Sequence, residues 1–454
     1  KCNLLRTEIN FTGTKSIAPG TVKPMSSNDH FTVRIGVLGC GTVGSAFISI
    51  LRKEAEQIST RTGISLEIIG VAVKNDSLAR PVEIDSEILT SDAAALVADP
   101  MVDVIIETIG GLNPARQLVL NSLRNGKPVI TANKELVATY GKELFDAAAE
   151  GNVDLMFEAA VAGAIPLIRV LNESLIGERI TRVMGIVNGT TNFILTKMTE
   201  DGANYSEVLA EAQALGFAEA DPTADVDGHD AGAKAAIIAM MAFGVNAAVS
   251  DVYREGISDI SAGDIDAAKQ MGHVIKLLAV VERDGEKIGI RVHPAMIPNT
   301  HPLASVRDSF NAVFVEGEAV DEVMLYGRGA GGKPTASAML GDLIATARNL
   351  KQGSVGSVGR LSSLPISSIE EMISAYYLQL DVNDAPGVLA LVAGIFGENG
   401  VSIRSMDQEG KESTAHLVFI THKAREADMQ KTISELRELK EVRDIGALIR
   451  VVGD

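Results

Sequence analysis

Runs and alternations of apolar residues divide the chain into stretches of different periodicity. The first ordered signal is VRIGVLG (33–39), a β-branched run of the kind buried on both faces of a parallel sheet. It passes through GCGTVG (39–44) into SAFISILRKEAEQI (45–58), which reads as a helix. Further strand-like runs follow at LEIIGVAV (66–73), VDVIIETIG (102–110) and KPVITAN (127–133). Helical stretches, PARQLVLNSLRNG (114–126) and KELFDAAAEG (142–151), fall beside them, each closed by a glycine. This rhythm predicts an α/β domain over 33–152, with a parallel sheet covered on both faces.

From about residue 153 the pattern changes. VDLMFEAAVAGAIPLIRVL (153–171) reads as a strand leading into a helix, and ITRVMGIVNG (180–189) as another strand. Ala-rich helices over 206–215 and 230–248 precede strand-like IGIRVHPAMI (288–297) and NAVFVEG (311–317). These predict an α+β domain over 153–326 with a mixed or antiparallel sheet. Residues 351–372 are rich in Ser and Gly and read as a linker to a semi-independent module. Over 373–454 the order is strand, helix, strand, strand, helix, strand, a ferredoxin-like βαββαβ unit. Residues 1–32 lack apolar periodicity and predict a disordered or extended arm. Within it Met25, followed by Ser-Ser-Asn-Asp, reads as the true start with 1–24 added upstream; a short transit-like leader is the alternative.

Charge and composition narrow the function classes. A formal net charge of −18 and the lack of a basic, aromatic-studded patch argue against nucleic-acid and anionic-lipid partners. Cys2 and Cys40 cannot build a disulfide framework or a cysteine metal site, which suits a reducing compartment. No apolar run reaches the ~18–20 residues of a membrane span. The expected location is cytoplasmic, with no membrane association.

The glycine loop carries the first chemistry. Gly-x-Gly-x-x-Gly is weak alone, but here it leaves a buried strand and opens a helix. Gly39 would permit the turn, Gly41 the approach of a pyrophosphate, and Gly44 close helix–strand packing, as in a Rossmann-type dinucleotide-binding domain. Cys40, Thr42 and Val43 complete the loop, whose helix start would aim N–H groups at phosphates. Lys74 ends the second strand, where it would attract a 2′-phosphate and favour NADP; Asp76 keeps NAD open.

Four stretches then resemble homoserine dehydrogenases: ITANKE (130–135), FEAAVAGAIP (157–166), VNGTTNFIL (187–195) and GFAEADPTADVDGHDAGAKAAI (216–237). YGRGAGGKPTASAMLGDL (326–343) is similar to the family's segment that returns to the cofactor domain, placing 327–350 there. The resemblance runs over nearly all of 34–350 and implies interconversion of L-aspartate 4-semialdehyde and L-homoserine with NADP or NAD. It assigns Glu219 to the substrate, and Lys134 to both cofactor and substrate as a catalytic residue supporting proton transfer. Asp225, Thr190 and Gly189 would face the substrate, and Gly331 the nicotinamide end. It further implies a Na⁺ or K⁺ ion on carbonyls of Val161, Gly163 and Ile165, with Glu158 contributing. The expected assembly is a homodimer or homotetramer.

The residues make chemical sense independently. Reducing an aldehyde needs a proton source for the developing alkoxide, and Lys234 can be one. Asp230 lies four residues earlier on the same predicted helix, within reach across one turn. Without the resemblance this pair could be a solvated ion pair, and the acids before it a helix-capping cluster. The C-terminal unit resembles an ACT domain, a fold that commonly binds amino acids. Asp384, Pro386 and Gly387 form a loop that could take such an effector, threonine being the expected one. A ligand-free dimerising module is the alternative.

Three other functions compete. Another ACT-bearing dehydrogenase, such as a phosphoglycerate dehydrogenase, would rely on a His–acid pair and a mid-chain glycine loop. A non-catalytic nucleotide-binding sensor would not need Lys134 together with Lys234. An aspartate-semialdehyde dehydrogenase would need a nucleophilic Cys, for which Cys2 and Cys40 are badly placed.

Overall fold

The computed structural model describes residues 31–75, 78, 80–356, 361–411 and 413–453. Residues 1–30 of the arm read over 1–32, and Asp76, lie outside them. Phe31 and Thr32, assigned to the arm, instead begin the first strand.

The N-terminal third builds a six-stranded parallel sheet from β1 (Phe31–Leu38), β2 (Ile64–Ala72), β3 (Leu89–Thr90), β4 (Val104–Glu107), β5 (Val129–Thr131) and β6 (Leu155–Met156). Its order, β3-β2-β1-β4-β5-β6, reverses direction between β1 and β4, and ligands of such sheets bind at that crevice. The helices here are α1 (Thr42–Thr62), α2 (Ala93–Ala98), α3 (Ala115–Arg124) and α4 (Lys134–Gly151). Helix α4 starts eight residues before its expected beginning, because Asn133 caps it by accepting from the Leu136 N–H at 3.1 Å.

The middle of the chain contributes β7 (Ile180–Ile186), β8 (Tyr253–Arg254), β9 (His273–Asp284), β10 (Lys287–Pro298), β11 (Phe310–Gly317) and β12 (Asp321–Arg328). Its helices are α5 (Leu167–Arg169), α6 (Gly189–Asp201), α7 (Tyr205–Ala214), α8 (Thr223–Val226), α9 (His229–Phe243), α10 (Ala262–Gln270) and α11 (Gly332–Gln352). Two expectations need correction. The helix read into 153–171 is a short turn, because Ala162 and Gly163 adopt positive φ before Pro166, and α5 runs straight into a π-helical turn over Val170–Ser174. The helix read over 230–248 ends at Phe243, where Gly244 takes the left-handed conformation.

Helix α9 is buried almost all round and rich in alanine, since it is pressed between α4 and the sheet. A Cβ on Gly141 of α4 would lie 2.8 Å from the Met240 sulfur, so small residues set this spacing. Helix α11 returns to the first domain and packs along α1.

The C-terminal unit comprises β13 (Ile373–Asn383), α12 (Val388–Glu398), β14 (Ile403–Lys411), β15 (Thr414–Thr421), β16 (Ala424–Arg425), α13 (Glu426–Arg437) and β17 (Val442–Val451). It is not the semi-independent module that its linker suggested. The second sheet runs β12-β11-β7-β9-β10-β17-β13-β15-β14, so eleven strands, β8 and β16 included, form one continuous surface across both units. The described part of the linker is docked. Ile366 bridges Ile288, Ser362 bridges Val245, and the Ser362 N–H donates to the Gly244 carbonyl. A buried ion cluster seals the junction: Arg450 of β17 donates to Glu255 at 2.7 and 2.9 Å and to Glu426 of α13 at 3.1 Å. Sequence composition reports a flexible spacer only when no neighbouring edge accepts it. Here the outer edge of β10 does.

Candidate active site

The carboxyl ends of β1, β4 and β5 bring three loops to the crevice. The first is the glycine loop. Gly39 has φ +98°, and a Cβ there would meet the Thr108 backbone at 2.9 Å. A Cβ on Gly44 would lie 2.4 Å from the Gly39 carbonyl, so only glycine lets α1 sit this close. Gly41 has nothing within 4 Å, which leaves its backbone open to a ligand. Cys40 is buried against Ser45, while Gly41 and Thr42 are exposed at the start of α1, where no side chain caps the helix. Gly331 (φ +117°) opens α11, and Gly332 approaches the Thr42 carbonyl so closely that its Cβ would stand 3.2 Å away. Two uncapped helix starts therefore converge on the open glycine loop, a good fit for a dinucleotide's phosphates. Lys74 is exposed two residues beyond β2.

The second loop follows β4, where buried Glu107 accepts from the N–H groups of Ile109 (2.7 Å) and Gly110 (3.0 Å). The third carries Lys134, the first residue of α4. Asn133 steadies it by donating to the Gly111 carbonyl at 2.6 Å.

Across from these loops, Asp230 and Lys234 lie one turn apart on α9. Lys234 Nζ donates to Asp230 Oδ2 and to the Val187 carbonyl, both at 2.6 Å. Lys134 Nζ lies 2.5 Å from the other Asp230 oxygen, Oδ1. One carboxylate thus bridges two ammonium groups from different domains. Burial pushes Asp230 toward its neutral form, but the two lysines overcome it and hold the carboxyl far below its ordinary value. Lys134 is also desolvated, yet Asp230 raises it on balance. Lys234 goes the other way: burial and the like charge of Lys134 lower it, against the pull of Asp230. An ammonium has three protons to donate, and Lys234 commits two of them. The third is available to a bound oxygen.

The other substrate candidates are placed differently. Asp225 joins the centre, because Asn188 donates to Asp225 Oδ1 at 2.7 Å and to Asp230 Oδ2 at 2.9 Å. Glu219 stands exposed in the loop between α7 and α8, its carbonyl accepting from Gln213 at 3.0 Å. The Thr190 hydroxyl donates to the Phe217 carbonyl at 2.7 Å and so anchors that loop. Gly189 presses against Ser309, whose carbonyl a Cβ would meet at 2.8 Å. The Val187 carbonyl was absent from the sequence-based site, and Asn188 entered it only as part of the Asn-Gly-Thr-Thr turn that resembles the family's substrate-facing loop. In the structure Asn188 also caps α6.

The proposed cation turn is partly committed to other work. Both Glu158 oxygens accept backbone N–H groups at the start of α5, from Ile168 (2.7 Å) and Arg169 (2.9 Å). The Ile165 carbonyl accepts from Leu167 at 2.8 Å. Among the described residues no N–H reaches the carbonyls of Val161 or Gly163, and each committed oxygen retains a lone pair. Among those residues, too, no group of three His, Cys, Asp or Glu side chains could hold a metal ion.

In the C-terminal unit Asp384, Pro386 and Gly387 are exposed between β13 and α12. The Asp384 N–H donates to the Ser413 carbonyl at 3.1 Å, and Gly387 (φ +91°) begins the helix. Among the described residues no helix is long and apolar enough to cross a membrane.

Comparison with known proteins is extensive. A family model described as homoserine dehydrogenase matches residues 166–344, and one for the homoserine dehydrogenase NAD binding domain matches 39–158. An ACT domain model matches 376–441. The homoserine dehydrogenase of Corynebacterium glutamicum is 49% identical over 429 residues, covering 93% of this chain and 96% of the relative. That of Bacillus subtilis is 42% identical over 427 residues, covering 93% and 99%. The crystal structure of a homoserine dehydrogenase from Thiobacillus denitrificans superposes with TM-score 0.87 at 40% identity, covering 92% and 98%. A hyperthermophilic archaeal homoserine dehydrogenase in complex with NADPH superposes with TM-score 0.61 at 28% identity, covering 70% and 98%.

Proposed function

The chain belongs to the homoserine dehydrogenase family of nicotinamide-dependent oxidoreductases, and on that premise we propose that Lys234 gives the proton that turns L-aspartate 4-semialdehyde into L-homoserine. The observation that carries this reading is the Asp230 carboxylate bridging Lys134 and Lys234. A bound nicotinamide supplies the hydride. Lys234 meets the oxygen on which negative charge develops, donates its uncommitted proton, and recovers it from homoserine in the reverse direction. Asp230 keeps both ammonium groups in place, while half-exposed Lys134 reaches toward the crevice from the cofactor side. Glu219 and Asp225 are suited to the substrate's α-ammonium group. Gly189 and Thr190 shape the wall behind it. The test is direct: oxidation of NADPH followed by absorbance with aspartate semialdehyde, and its formation with homoserine at alkaline pH. Absence of turnover in both directions would refute the reading.

NADP is the proposed cofactor over NAD, on the position of Lys74. A Na⁺ or K⁺ ion is proposed at the 161–165 turn, held by the carbonyls of Val161, Gly163 and Ile165 with charge from Glu158; no chemical step passes through it. We further propose threonine as an effector bound around Asp384, Pro386 and Gly387, in a cytoplasmic homodimer or homotetramer. Calorimetry with threonine tests the effector, and Asp384→Ala should weaken the response while uninhibited turnover stays unchanged. Removal of the module is a poor test, because its last strand completes the edge of β10.

A further inference from the structure

The corner between β7 and α6 holds the reacting ammonium group and its counter-ion together. The Val187 carbonyl accepts from Lys234, and the next residue, Asn188, spans Asp225 and Asp230. Asn188 is 5% exposed and uses both ends of its carboxamide. Its Nδ2 donates to two carboxylates, while its Oδ1 accepts from the Thr191 N–H at 2.9 Å and hydroxyl at 3.1 Å. A flipped amide would aim its oxygen at two anions and its NH₂ at a backbone donor, so the orientation is dictated by its neighbours.

We propose that Asn188 is a positioning residue: a neutral two-proton donor that holds the Asp225 and Asp230 carboxylates side by side and so fixes the charge facing Lys234. This rests on Lys234 being the proton donor. Two carboxylate oxygens gathered around one nitrogen would otherwise repel and swing apart. Asp230 turned away from that nitrogen would loosen its Oδ2 grip on Lys234, and the ammonium would no longer be held in one orientation. The charged groups around Lys234 are Asp230 on its own helix, Asp225 on α8, and Lys134 on α4, with Glu135 beside Lys134. Asn188 is the neutral member that separates the two aspartates.

Asn188 also caps α6, and the test must divide the two roles. Aspartate and serine both cap helices well and keep an acceptor for the Thr191 N–H. Asn188→Ser removes the NH₂ and adds no charge; Asn188→Asp replaces it with a third carboxylate. Positioning predicts that both lower kcat for aldehyde reduction, by about tenfold or more. It also predicts that Asn188→Asp alone moves the alkaline limb of the kcat profile to higher pH, by about one unit, since added negative charge favours the ammonium form. NADPH affinity, read by fluorescence, should hold in both variants and certify folding. Should Asn188→Asp fail to bind NADPH, Asn188→Ser decides by its kcat. If the folded variants keep kcat within twofold of the parent with an unmoved limb, Asn188 is a cap only and the proposal is overturned. Lys234→Ala, measured alongside, separates the premise from the inference. Retained turnover there removes Lys234 as donor, whereas lost turnover with unaffected Asn188 variants removes only the role given to Asn188.

Discussion

Asp230 and Asp342 are both buried aspartates on helices that face the boundary between the first two domains, and they are held in opposite ways. Asp230, 9% exposed, meets two ammonium groups and an amide N–H. Asp342 of α11, 3% exposed, accepts from the Glu158 N–H at 2.9 Å and from Arg169 at 2.8 Å. The carboxylate of Glu158 lies close by, so one guanidinium serves two buried acids. Burial and the neighbouring Glu158 push Asp342 up to about 7, whereas the lysines hold Asp230 far down. Burial is common to both centres; the ratio of cations to anions separates them. Two lysines for two aspartates hold Asp230 ionised, while one arginine for two acids makes a knot that takes up a proton near neutrality.

The junction with the C-terminal unit gives the largest expected effect, because Arg450, 2% exposed, is another single guanidinium over two acids. Arg450→Ala should cost about 3–5 kcal/mol in urea unfolding, by leaving Glu255 and Glu426 without the cation that pairs them. A loss confined to a separate C-terminal transition would mean that the shared sheet contributes nothing to the core. Next comes Lys234→Ala, expected to lower kcat at least ~10²-fold, or about 2.7 kcal/mol, with NADPH binding nearly intact.

The two aspartates themselves should leave pH signatures of opposite sign. Asp342 is raised on folding, so its stabilisation is complete below about pH 4 and is lost as pH rises through about 7. Between pH 5 and 8 this should remove about 2–3 kcal/mol of stability, and Asp342→Asn should flatten that slope. Asp230 is lowered, so its contribution is present above about pH 4 and is lost on acidification. Asp230→Asn should flatten the acid limb instead. Urea midpoints measured from pH 3 to 8 check both, and equal slopes in the two variants would dissolve the contrast. The smallest effect belongs to Lys74→Asp, which should shift the NADP to NAD ratio of kcat/KM toward NAD by ~1–2 kcal/mol. An unshifted ratio would place the 2′-phosphate elsewhere.

Much of this could be read from residue order where the physics is local. The strand–glycine loop–helix unit declares itself because Gly39 and Gly44 answer contacts within a few residues or one strand away, while Gly41 stays open. Asp230 and Lys234 meet by helical spacing alone. Lys134 meets the same carboxylate only through the packing of α4 on α9, which no local pattern encodes; the family resemblance supplied it. Asn188 read only as one amide in a substrate-facing turn, because its two carboxylate partners lie 37 and 42 residues away in the chain. Strand β9, HVIKLLAVVERD, went unread because a continuous apolar run does not choose between buried strand and buried helix. The Ser/Gly-rich segment misled for a related reason: small polar residues describe a chain's freedom, and the edge of β10 takes that freedom away.

That edge has a history as well as a structure. Three separate pieces cover it in turn: Ile366 beside Ile288, β8 beside Arg291 and Val292, and β17 beside Ala295 and Met296. The last piece is made about 150 residues after the strand it protects. On a ribosome adding ~5–20 residues per second, β10 therefore waits several seconds or more with part of its ladder open. An open, apolar strand edge is a template for pairing with another chain. The nascent enzyme thus passes through a window of aggregation risk that closes only when its final ten-residue strand emerges, and loss of that strand would hold the window open for the life of the molecule.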